Sequence, residues 1–402
     1  MTILDFHSMR FQDIAGHNQL KTQLIELVKA ERIPHAMMLN GSVGTGGFAM
    51  AHAFAQYINC TSRTAEDSCG ECHSCVNMTT LTHPDLSLSF PIFNRKIAVD
   101  KDSINSEVKK KSEEKSVCAS FIKEFRNYIL ENPYGTVRAW FDSLDASSKQ
   151  ANIPKAECIE IVKKMSLKSF MGGYKILIIW HPEYLKKEGN ALLKLIEEPP
   201  GKSLFLFVTE DIDKILGTIQ SRTQLFKLNP LSAQNIEEYL MNKGVPNDQA
   251  KIFSFMAEGN MQKALSLSQD GDSNYFEHLR AWMNGLFTNN AQSIIQWVSN
   301  SESMSKEGLK NFLLYTTQLF EHSIRMMWMT KEEIHLPLNE RNFIDKLIKN
   351  GIDAEEIEQI NLLLSEAIYH IERNVNVRTM LSAVSMNMQE ILLKKKLTSS
   401  RN

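Results

Sequence analysis

The apolar positions in the N-terminal half follow an order of helix, strand and helix. Apolar residues recur at helical spacing from Gln19 to Ala30, and the short run His35–Gly41 has the pattern of a buried strand. A helical pattern over Ala49–Ile58 follows it. Three further strands are predicted at His83–Phe90, Lys175–Trp180 and Ser203–Glu210. Because KILIIW (175–180) is apolar from Ile176 to Trp180, it suits the middle of a parallel sheet, and the predicted class is α/β.

The C-terminal part shows no strand alternation. The windows Gly308–Trp328 and Asn376–Leu397 place apolar residues three and four positions apart. Helices are therefore predicted here, with their Met and aromatic side chains in a core or in contacts between subunits.

A charged segment interrupts the α/β pattern. Residues from about Asn94 to Asn152 contain the run VKKKSEEKS (108–116) and a helix rich in Phe and Tyr. A charge run of this kind is usually the solvated face of a helix. We expect an insertion that lies over the core or at its edge, and we assign it no chemistry.

Length and composition exclude some classes of protein. At 402 residues, 43% apolar and 23% charged, the chain has room for two or three globular domains. The net charge of −2 argues against a protein that holds nucleic acid through its own bulk charge. The N-terminus lacks a signal-peptide pattern, and no apolar run approaches membrane-spanning length. We therefore expect a cytoplasmic protein with no membrane partner.

Residues 41–48, GSVGTGGF, have the glycine frame of a phosphate-binding loop. In a working loop, glycines turn backbone N–H groups toward the anion, a lysine reaches the β/γ-phosphates, and the next Ser or Thr binds Mg²⁺. Here Gly47 and Phe48 occupy those two positions. The frame is made by Gly41, Gly44, Gly46 and Gly47. Productive ATP binding is therefore not expected.

The strand that should supply acidic groups has lost them too. After KILIIW, a catalytic P-loop protein needs one acid to bind Mg²⁺ through water and a second to activate the attacking water. This chain continues with Trp180, His181, Pro182 and Glu183. Glu183 is either a displaced catalytic acid or, more simply, a polar residue that opens the next helix, and we favour the second interpretation.

Four of the six cysteines fall within sixteen residues, at Cys60, Cys69, Cys72 and Cys75. Short C-x2-C turns let four thiolates converge on one tetrahedral ion, and the spacing favours structural Zn²⁺. An iron–sulfur cluster is the main alternative, and four free thiols are the third. Cys118 and Cys158 stand alone and are expected to be buried in apolar packing.

Several motifs, in their order along the chain, resemble one family. They are RFQDIAGHNQL (10–20), HAMMLNG (35–41), the altered glycine loop, the four-cysteine segment, NALLKLIEEPP (190–200) and TIQSRT (218–223). From about Met9 to Leu228 the chain is similar to the bacterial clamp-loader branch of the AAA+ ATPases. The resemblance implies a parallel-sheet P-loop domain over residues 1–228, a small helical lid over 229–273, a helical collar over 274–396 that assembles in a ring, and a tail over 397–402.

Within that family, the missing lysine implies the delta-prime type of DNA polymerase III subunit rather than the ATP-hydrolysing tau/gamma type. The family's serine-arginine-cysteine motif is present as Ser221, Arg222 and Thr223, and Arg222 would act on a neighbour's ATP. Gln262 stands where the family has its sensor 2 arginine, and Thr209 matches sensor 1. The implied partners are tau/gamma and delta subunits and, through the complex, the sliding clamp and primed DNA.

Two other functions remain open. The first is an unorthodox ATPase of the tau/gamma type with a relocated lysine, although no lysine lies near Gly47. The second is a zinc-dependent DNA-binding protein, which should interleave Lys and Arg with the cysteines. Between Cys60 and Cys75 the only basic residue of these types is Arg63, against three acids at Glu66, Asp67 and Glu71.

Overall fold

The computed structural model describes residues 9–93, 117–269, 275–328, 336–373 and 375–399. Within these ranges, no helix is both long and apolar enough to cross a membrane. The charged run 108–116 and the end of the predicted tail, residues 400–402, lie outside the described residues.

A five-stranded sheet organises the first part of the chain. Every strand pairing in it is parallel, and the strand order is β2-β3-β4-β1-β5. The strands are β1 Ala36–Gly41, β2 Leu86–Ser89, β3 Lys175–Trp180, β4 Ser203–Thr209 and β5 Gln224–Leu228. Every residue of β3 is buried, as its unbroken apolar run predicts. The predicted α/β class with a parallel sheet is confirmed.

Helices cover both faces of this sheet. They are α1 Asn18–Lys29, α2 Gly47–Asn59, α3 His73–Thr79, α4 Ile122–Glu131, α5 Val137–Asp142, α6 Lys155–Ser166, α7 Leu193–Glu197 and α8 Gly217–Gln220. More tightly wound 3-10 segments span Phe11–Asp13, Cys118–Phe121, Pro182–Leu192 and Ile212–Lys214. The motif NALLKLIEEPP (190–200) begins in a 3-10 segment, continues as α7 and leaves the helix before its two prolines, which cannot extend it.

The remaining described elements are all helical, as the C-terminal patterns predict. They are α9 Ala233–Asn242, α10 Asn247–Ala257, α11 Met261–Gln269, α12 Tyr275–Phe287, α13 Ala291–Glu302, α14 Lys306–Trp328, α15 Leu338–Lys349, α16 Ala354–Glu372 and α17 Val377–Ser399. The chain forms two compact units. The first runs to Asn235 and includes Gly259–Gln262, and the second comprises Ile236–Glu258 and the chain from Lys263. The division into P-loop, lid and collar domains stays a prediction.

The pleat of the sheet divides its core into two apolar layers. Ile176 and Ile178 point into one layer with α1, α2, α4 and α5. Leu177 and Ile179 point into the other, with α6, α7 and α8. Successive side chains of a strand face opposite sides, so β3 is buried by both layers.

The insertion is more central than its composition predicts. Of the two expected positions, over the core or at its edge, the described part, residues 117–152, takes the first: it contributes fully buried side chains to the first layer, including Phe125 and Trp140. Its aromatic residues, rather than the charges of the insertion, decide where it packs. Cys118 and Cys158 are also buried, as predicted.

Candidate functional site

The glycine loop keeps the backbone conformation of a phosphate cradle. It connects β1 to α2, and Gly44 and Gly46 have positive φ angles of 76° and 87°. Residues with a Cβ rarely adopt this conformation, so glycine is required there. Thr45 closes the turn, since its N–H and its hydroxyl both donate to the Ser42 carbonyl, at 3.2 and 2.8 Å.

The side chains of Tyr134 and Asn260 pack against this loop. A Cβ added to Gly46 would lie 2.6 Å from Cε1 of Tyr134, and one added to Gly44 would overlap the Asn260 side chain. The Tyr134 hydroxyl accepts a hydrogen bond from the Ala15 N–H at 3.0 Å, which fixes the ring in place. Gly47 leaves little room for the lost lysine, because a Cβ there would lie 2.8 Å from Val208 Cγ1.

Aromatic rings fill the region where magnesium ligands would be expected. Phe48 stands at the Ser/Thr position of the loop, and Trp180 at the acid position of β3. Phe125 of the insertion bridges them, with ring centroids 6.0 Å from Phe48 and 5.4 Å from Trp180. We call the whole set the aromatic cluster: Phe48, Phe90, Phe125, Tyr128, Trp140 and Trp180. Two separate losses of metal-binding oxygen are therefore parts of one apolar core.

Glu183 anchors the chain at the carboxyl ends of β3 and β4. Its Oε1 accepts hydrogen bonds from the Thr209 hydroxyl and from the N–H groups of Glu210 and Asp211, at 2.9 and 3.1 Å for the two N–H groups. Its Oε2 is buried and lies 3.8 Å from Nδ1 of His181. Three donors on one oxygen hold the turn after β4, so the arrangement favours the interpretation of Glu183 and Thr209 as a structural pair.

His181 lies between two carboxylates in this corner. Its Nε2 is 3.9 Å from Oε1 of Glu210, on the side opposite Glu183. Burial lowers the pKa of His181 to about 4, which keeps the imidazole neutral. Burial, with a smaller contribution from the charge of Glu183, raises the pKa of Glu210 to about 7. His181 and Glu210 line a cavity of about 500 Å³, together with Val43, Thr136, Val137, Arg138, Ala139, Asp142, Tyr184 and Gln262.

The fold thus brings Gln262, the predicted sensor 2 position, next to the glycine loop. The Met261 N–H donates to the Gly44 carbonyl at 3.1 Å, which ties the start of α11 to the loop. An amide at Gln262 carries no positive charge for a phosphate. Arg222 is not among the residues that line this cavity.

The four predicted cysteines converge. Their sulfur atoms all lie within 4.8 Å of one another, and the described structure contains no disulfide among them. Three of the pairs are 3.5, 3.9 and 4.0 Å apart, between Cys60 and Cys69, Cys69 and Cys75, and Cys60 and Cys72. Four sulfurs about 2.3 Å from one tetrahedral ion are about 3.8 Å apart. The site can therefore hold a single metal ion.

Backbone N–H groups support these sulfurs. The Cys69 N–H donates to Cys60 Sγ at 3.4 Å, the Cys72 N–H to Cys69 Sγ at 3.3 Å, and the Cys75 N–H to Cys72 Sγ at 3.5 Å. Such bonds stabilise negative charge on sulfur, which is the form that binds metal. Asp67 connects the cysteine segment to the 3-10 segment near the N-terminus. Its carboxylate accepts the Gln12 N–H at 2.9 Å and the Phe11 N–H at 3.3 Å.

Arg222 lies in the turn between α8 and β5. Its side chain is 35% exposed. Nε donates to Oε1 of Glu197 at 2.5 Å, and Nη1 donates to the Thr218 carbonyl at 2.8 Å and to Ser221 Oγ at 3.2 Å. Nη2 has no protein partner among the described residues. The guanidinium is therefore held through Nε and Nη1, and the N–H groups of Nη2 are left without such a contact.

The sheet, the loop after β1 and the helix that begins at Gly47 define an α/β domain of the P-loop type. In this example the two magnesium-binding positions lie in an aromatic core. The chain belongs to the family of the DNA polymerase III delta subunit, whose sequence profile matches residues 16–232.

The individual relatives do not decide which type of DNA polymerase III subunit the chain resembles more. The chain is 26% identical to DNA polymerase III subunit tau of Bacillus subtilis over 65% of its own length and 38% of that protein. It is 28% identical to subunit delta' of Yersinia pestis over 50% of its length and 43% of that protein. The match thus spans less than half of each of these two relatives. A gamma-subunit-related protein of Thermotoga maritima aligns with 92% of this chain and 99% of its own, at 14% identity and a TM-score of 0.36.

Sequence reasoning missed three residues at these sites. Tyr134 and Phe125 lie in the insertion, to which no chemistry was assigned. Glu197 lies in NALLKLIEEPP, where it is one of two adjacent glutamates. The Phe and Tyr content of the insertion was the available signal for the first two. The pairing of Glu197 with Arg222 joins residues 25 positions apart and has no local signature.

Proposed function

We propose that this chain is a delta-prime-type subunit of a DNA polymerase III clamp loader. It does not hydrolyse ATP itself, and it donates Arg222 to the nucleotide site of a neighbouring tau/gamma-type subunit. The observation that carries the proposal is the aromatic cluster, which unites Phe48 and Trp180 through Phe125.

The cluster supports catalytic silence for a chemical reason. Magnesium binds oxygen ligands in a near-octahedral shell and keeps several waters. The rings of Phe48, Phe125 and Trp180 offer no such ligand, and their side chains are almost fully buried. Tyr134 against Gly46 narrows the loop further. Loss of charge at Gly47 and Gln262 removes the groups that would neutralise phosphate.

Arg222 supports the role in trans. An arginine supplied by a neighbour stabilises the charge that develops during phosphoryl transfer. Its exposed guanidinium has free N–H groups on Nη2, while its own glycine loop lacks the means to bind phosphate productively. Hydrolysis in the neighbour would then depend on correct assembly of the ring.

Family membership supports the proposal of a wider complex. The proposed partners are tau/gamma and delta subunits, with the sliding clamp and primed DNA reached through the complex. In this proposal residues 1–228 form the P-loop domain, 229–273 the lid and 274–396 the collar. The long helices α14 and α17 would supply contacts with neighbouring collars.

Zinc is the metal that we propose for the cysteine site. Cys60, Cys69, Cys72 and Cys75 would hold it, and the sulfur separations fit one tetrahedral ion. A four-iron cluster places its irons and sulfides between the thiolates and separates them farther. Because four thiolates leave no open position, the ion would serve the fold and take no part in a reaction.

A tau/gamma-type ATPase is the second candidate. It is favoured by the 26% identity to a tau subunit and by the preserved positive φ angles of Gly44 and Gly46. Nucleotide binding by the isolated chain separates the two. Saturable binding of ATP that depends on Mg²⁺ would support this candidate over a silent subunit.

The test is ATP hydrolysis by the chain alone and by a clamp loader reconstituted with tau/gamma and delta subunits. We expect no turnover alone. Arg222→Ala should leave assembly intact and lower turnover at the one site that it faces by about 10³-fold. Arg280→Ala is the matched control, because Arg280 is an exposed arginine paired with Glu277 three residues away. Equal ATPase rates with Arg222→Ala and wild type would overturn the trans role.

A further inference from the structure

The Glu197 carboxylate accepts a hydrogen bond from Arg222, the arginine that we propose acts on the ATP of a neighbouring subunit. We propose that Glu197 is a positioning residue, which orients the Arg222 guanidinium so that its Nη2 edge faces out of the chain toward a nucleoside triphosphate on the adjacent subunit. This inference rests on the proposed function and adds a second residue to the same site.

The donors of Arg222 are divided between the chain and its surroundings. A guanidinium has five N–H donors in a fixed plane. Nε is used by Glu197, and the two donors of Nη1 are used by the Thr218 carbonyl and Ser221 Oγ. The two donors of Nη2 have no protein partner among the described residues. Three bonds in one plane therefore fix the direction of the remaining edge.

Both ends of the Glu197–Arg222 pair are attached to the same apolar layer. Leu195 and Ile196 of α7 are buried in the layer that also contains Ile219 of α8. Glu197 is the last residue of α7, and the prolines at 199 and 200 prevent the helix from continuing. The carboxylate is thus held close to Arg222 by packing.

A contribution to the free energy of folding does not explain the Glu197–Arg222 ion pair. The side chains are 46% and 35% exposed, and exposed ion pairs contribute little to folding. The contact has a different consequence, because a free arginine on a surface samples many rotamers and a held one does not. A catalytic group must be within a narrow range of its productive position, so orientation can be worth a large factor in rate.

The geometry also indicates that Glu197 orients Arg222 rather than blocking it. Glu197 bonds to Nε, and it makes no hydrogen bond to Nη2 among the described residues. A phosphate oxygen can therefore bind Nη2 while the Glu197 contact stays intact. Removal of the carboxylate should lower the rate in the neighbour.

The experiment compares four variants of the full chain in the reconstituted clamp loader: Glu197→Ala, Glu197→Gln, Arg222→Ala and the double variant Glu197→Ala/Arg222→Ala. Glu197→Ala should lower kcat by about 3- to 10-fold and leave KM for ATP unchanged, because orientation acts in the transition state. Glu197→Gln keeps a hydrogen-bond acceptor and should recover part of the rate. The double variant should match Arg222→Ala, since both changes act through one guanidinium.

Glu198→Ala is the matched control, because Glu198 is the adjacent exposed glutamate and should give the wild-type rate. Wild-type kcat with both Glu197 variants, alongside a low rate with Arg222→Ala, would overturn the positioning role and keep the trans arginine. Wild-type kcat with Arg222→Ala would overturn the proposed function itself. A double variant slower than Arg222→Ala would show that Glu197 acts independently of Arg222, and would also overturn the inference.

Discussion

The four-cysteine module and the glycine loop are both ligand sites defined by residue spacing, and they have had opposite fates. The module keeps every ligand, and its four sulfurs converge within 4.8 Å. The loop keeps its backbone, including the positive φ angles of Gly44 and Gly46, but Phe48 has joined an aromatic core. The comparison teaches that a backbone frame and the side chains that contact a ligand are separate requirements of a site, and that one can be kept without the other.

The largest effect should come from breaking the module. Cys72→Ser should abolish the binding of one zinc ion per chain and lower the free energy of unfolding by about 3 kcal/mol or more, because metal-binding energy is folding energy. Zinc content by mass spectrometry and thermal unfolding by circular dichroism measure the two effects. Cys158→Ala, at a buried cysteine outside the module, should keep its zinc. Full stability of Cys72→Ser without zinc would contradict a structural metal.

A small side chain in place of Phe48, at the magnesium position of the loop, should destabilise the protein. Phe48→Ala removes a ring that is 3% exposed and should lower the free energy of unfolding by about 3 to 5 kcal/mol. Denaturant titration measures the loss. Phe48→Thr tests the same position with the hydroxyl of a working loop, and we expect no ATP binding from it by calorimetry. Recovered binding would mean that the aromatic cluster is not what prevents it.

A smaller effect should follow when the loop loses its backbone freedom. Gly46→Ala places a Cβ at a φ of 87° and against Tyr134, which should cost about 1 to 3 kcal/mol. Gly217→Ala is the control, because its φ is not positive and a Cβ there meets nothing within 4 Å. The control should change the unfolding midpoint little. Equal midpoints for the two variants would show that the frame is no longer under steric constraint.

The smallest expected effect is on the pH dependence of the free energy of unfolding. The pKa of Glu210 is raised by burial from its ordinary 4.5 to about 7, so its contribution to stability is present below about pH 4.5 and is lost as pH rises toward 7. His181 acts in the opposite sense. Its pKa is lowered from 6.5 to about 4, so its contribution is present above about pH 6.5 and is lost as pH falls toward 4.

Glu210→Gln removes the first contribution and leaves the second. At pH 8 the variant should be more stable than wild type by about 1 kcal/mol, a value reduced for partial exposure of the side chain. Thermal unfolding between pH 4 and pH 8 measures the difference. A difference that does not grow between pH 4.5 and pH 7 would contradict the raised pKa.

The sequence predicted the local elements well, because each depended on spacing within a short window. The apolar run 175–180 predicted a buried parallel strand, and the three- and four-residue spacing predicted α14 and α17. The C-x2-C turns predicted that four thiolates converge, since they constrain the chain locally. The glycine pattern predicted a loop that lacks a lysine and a hydroxyl.

The insertion could not be placed in this way. Its charge run pointed to solvent, whereas Phe125 and Trp140 form the centre of the aromatic cluster. The cluster joins residues from four separate stretches of chain, and Phe48, Phe125 and Trp180 come from three different stretches. The same limit applies to Tyr134, which meets Gly46 and Ala15 from a distant part of the sequence.

By itself, the sequence determined which chemical groups were present: four thiolates, an arginine at 222, and a glycine loop without its lysine. These are matters of residue identity and short spacing. Only the tertiary structure decided what those groups meet. Packing brought Phe48 and Trp180 onto Phe125, and it brought the end of α7 to Arg222, because contacts between distant segments are set by how apolar layers fill space around the sheet.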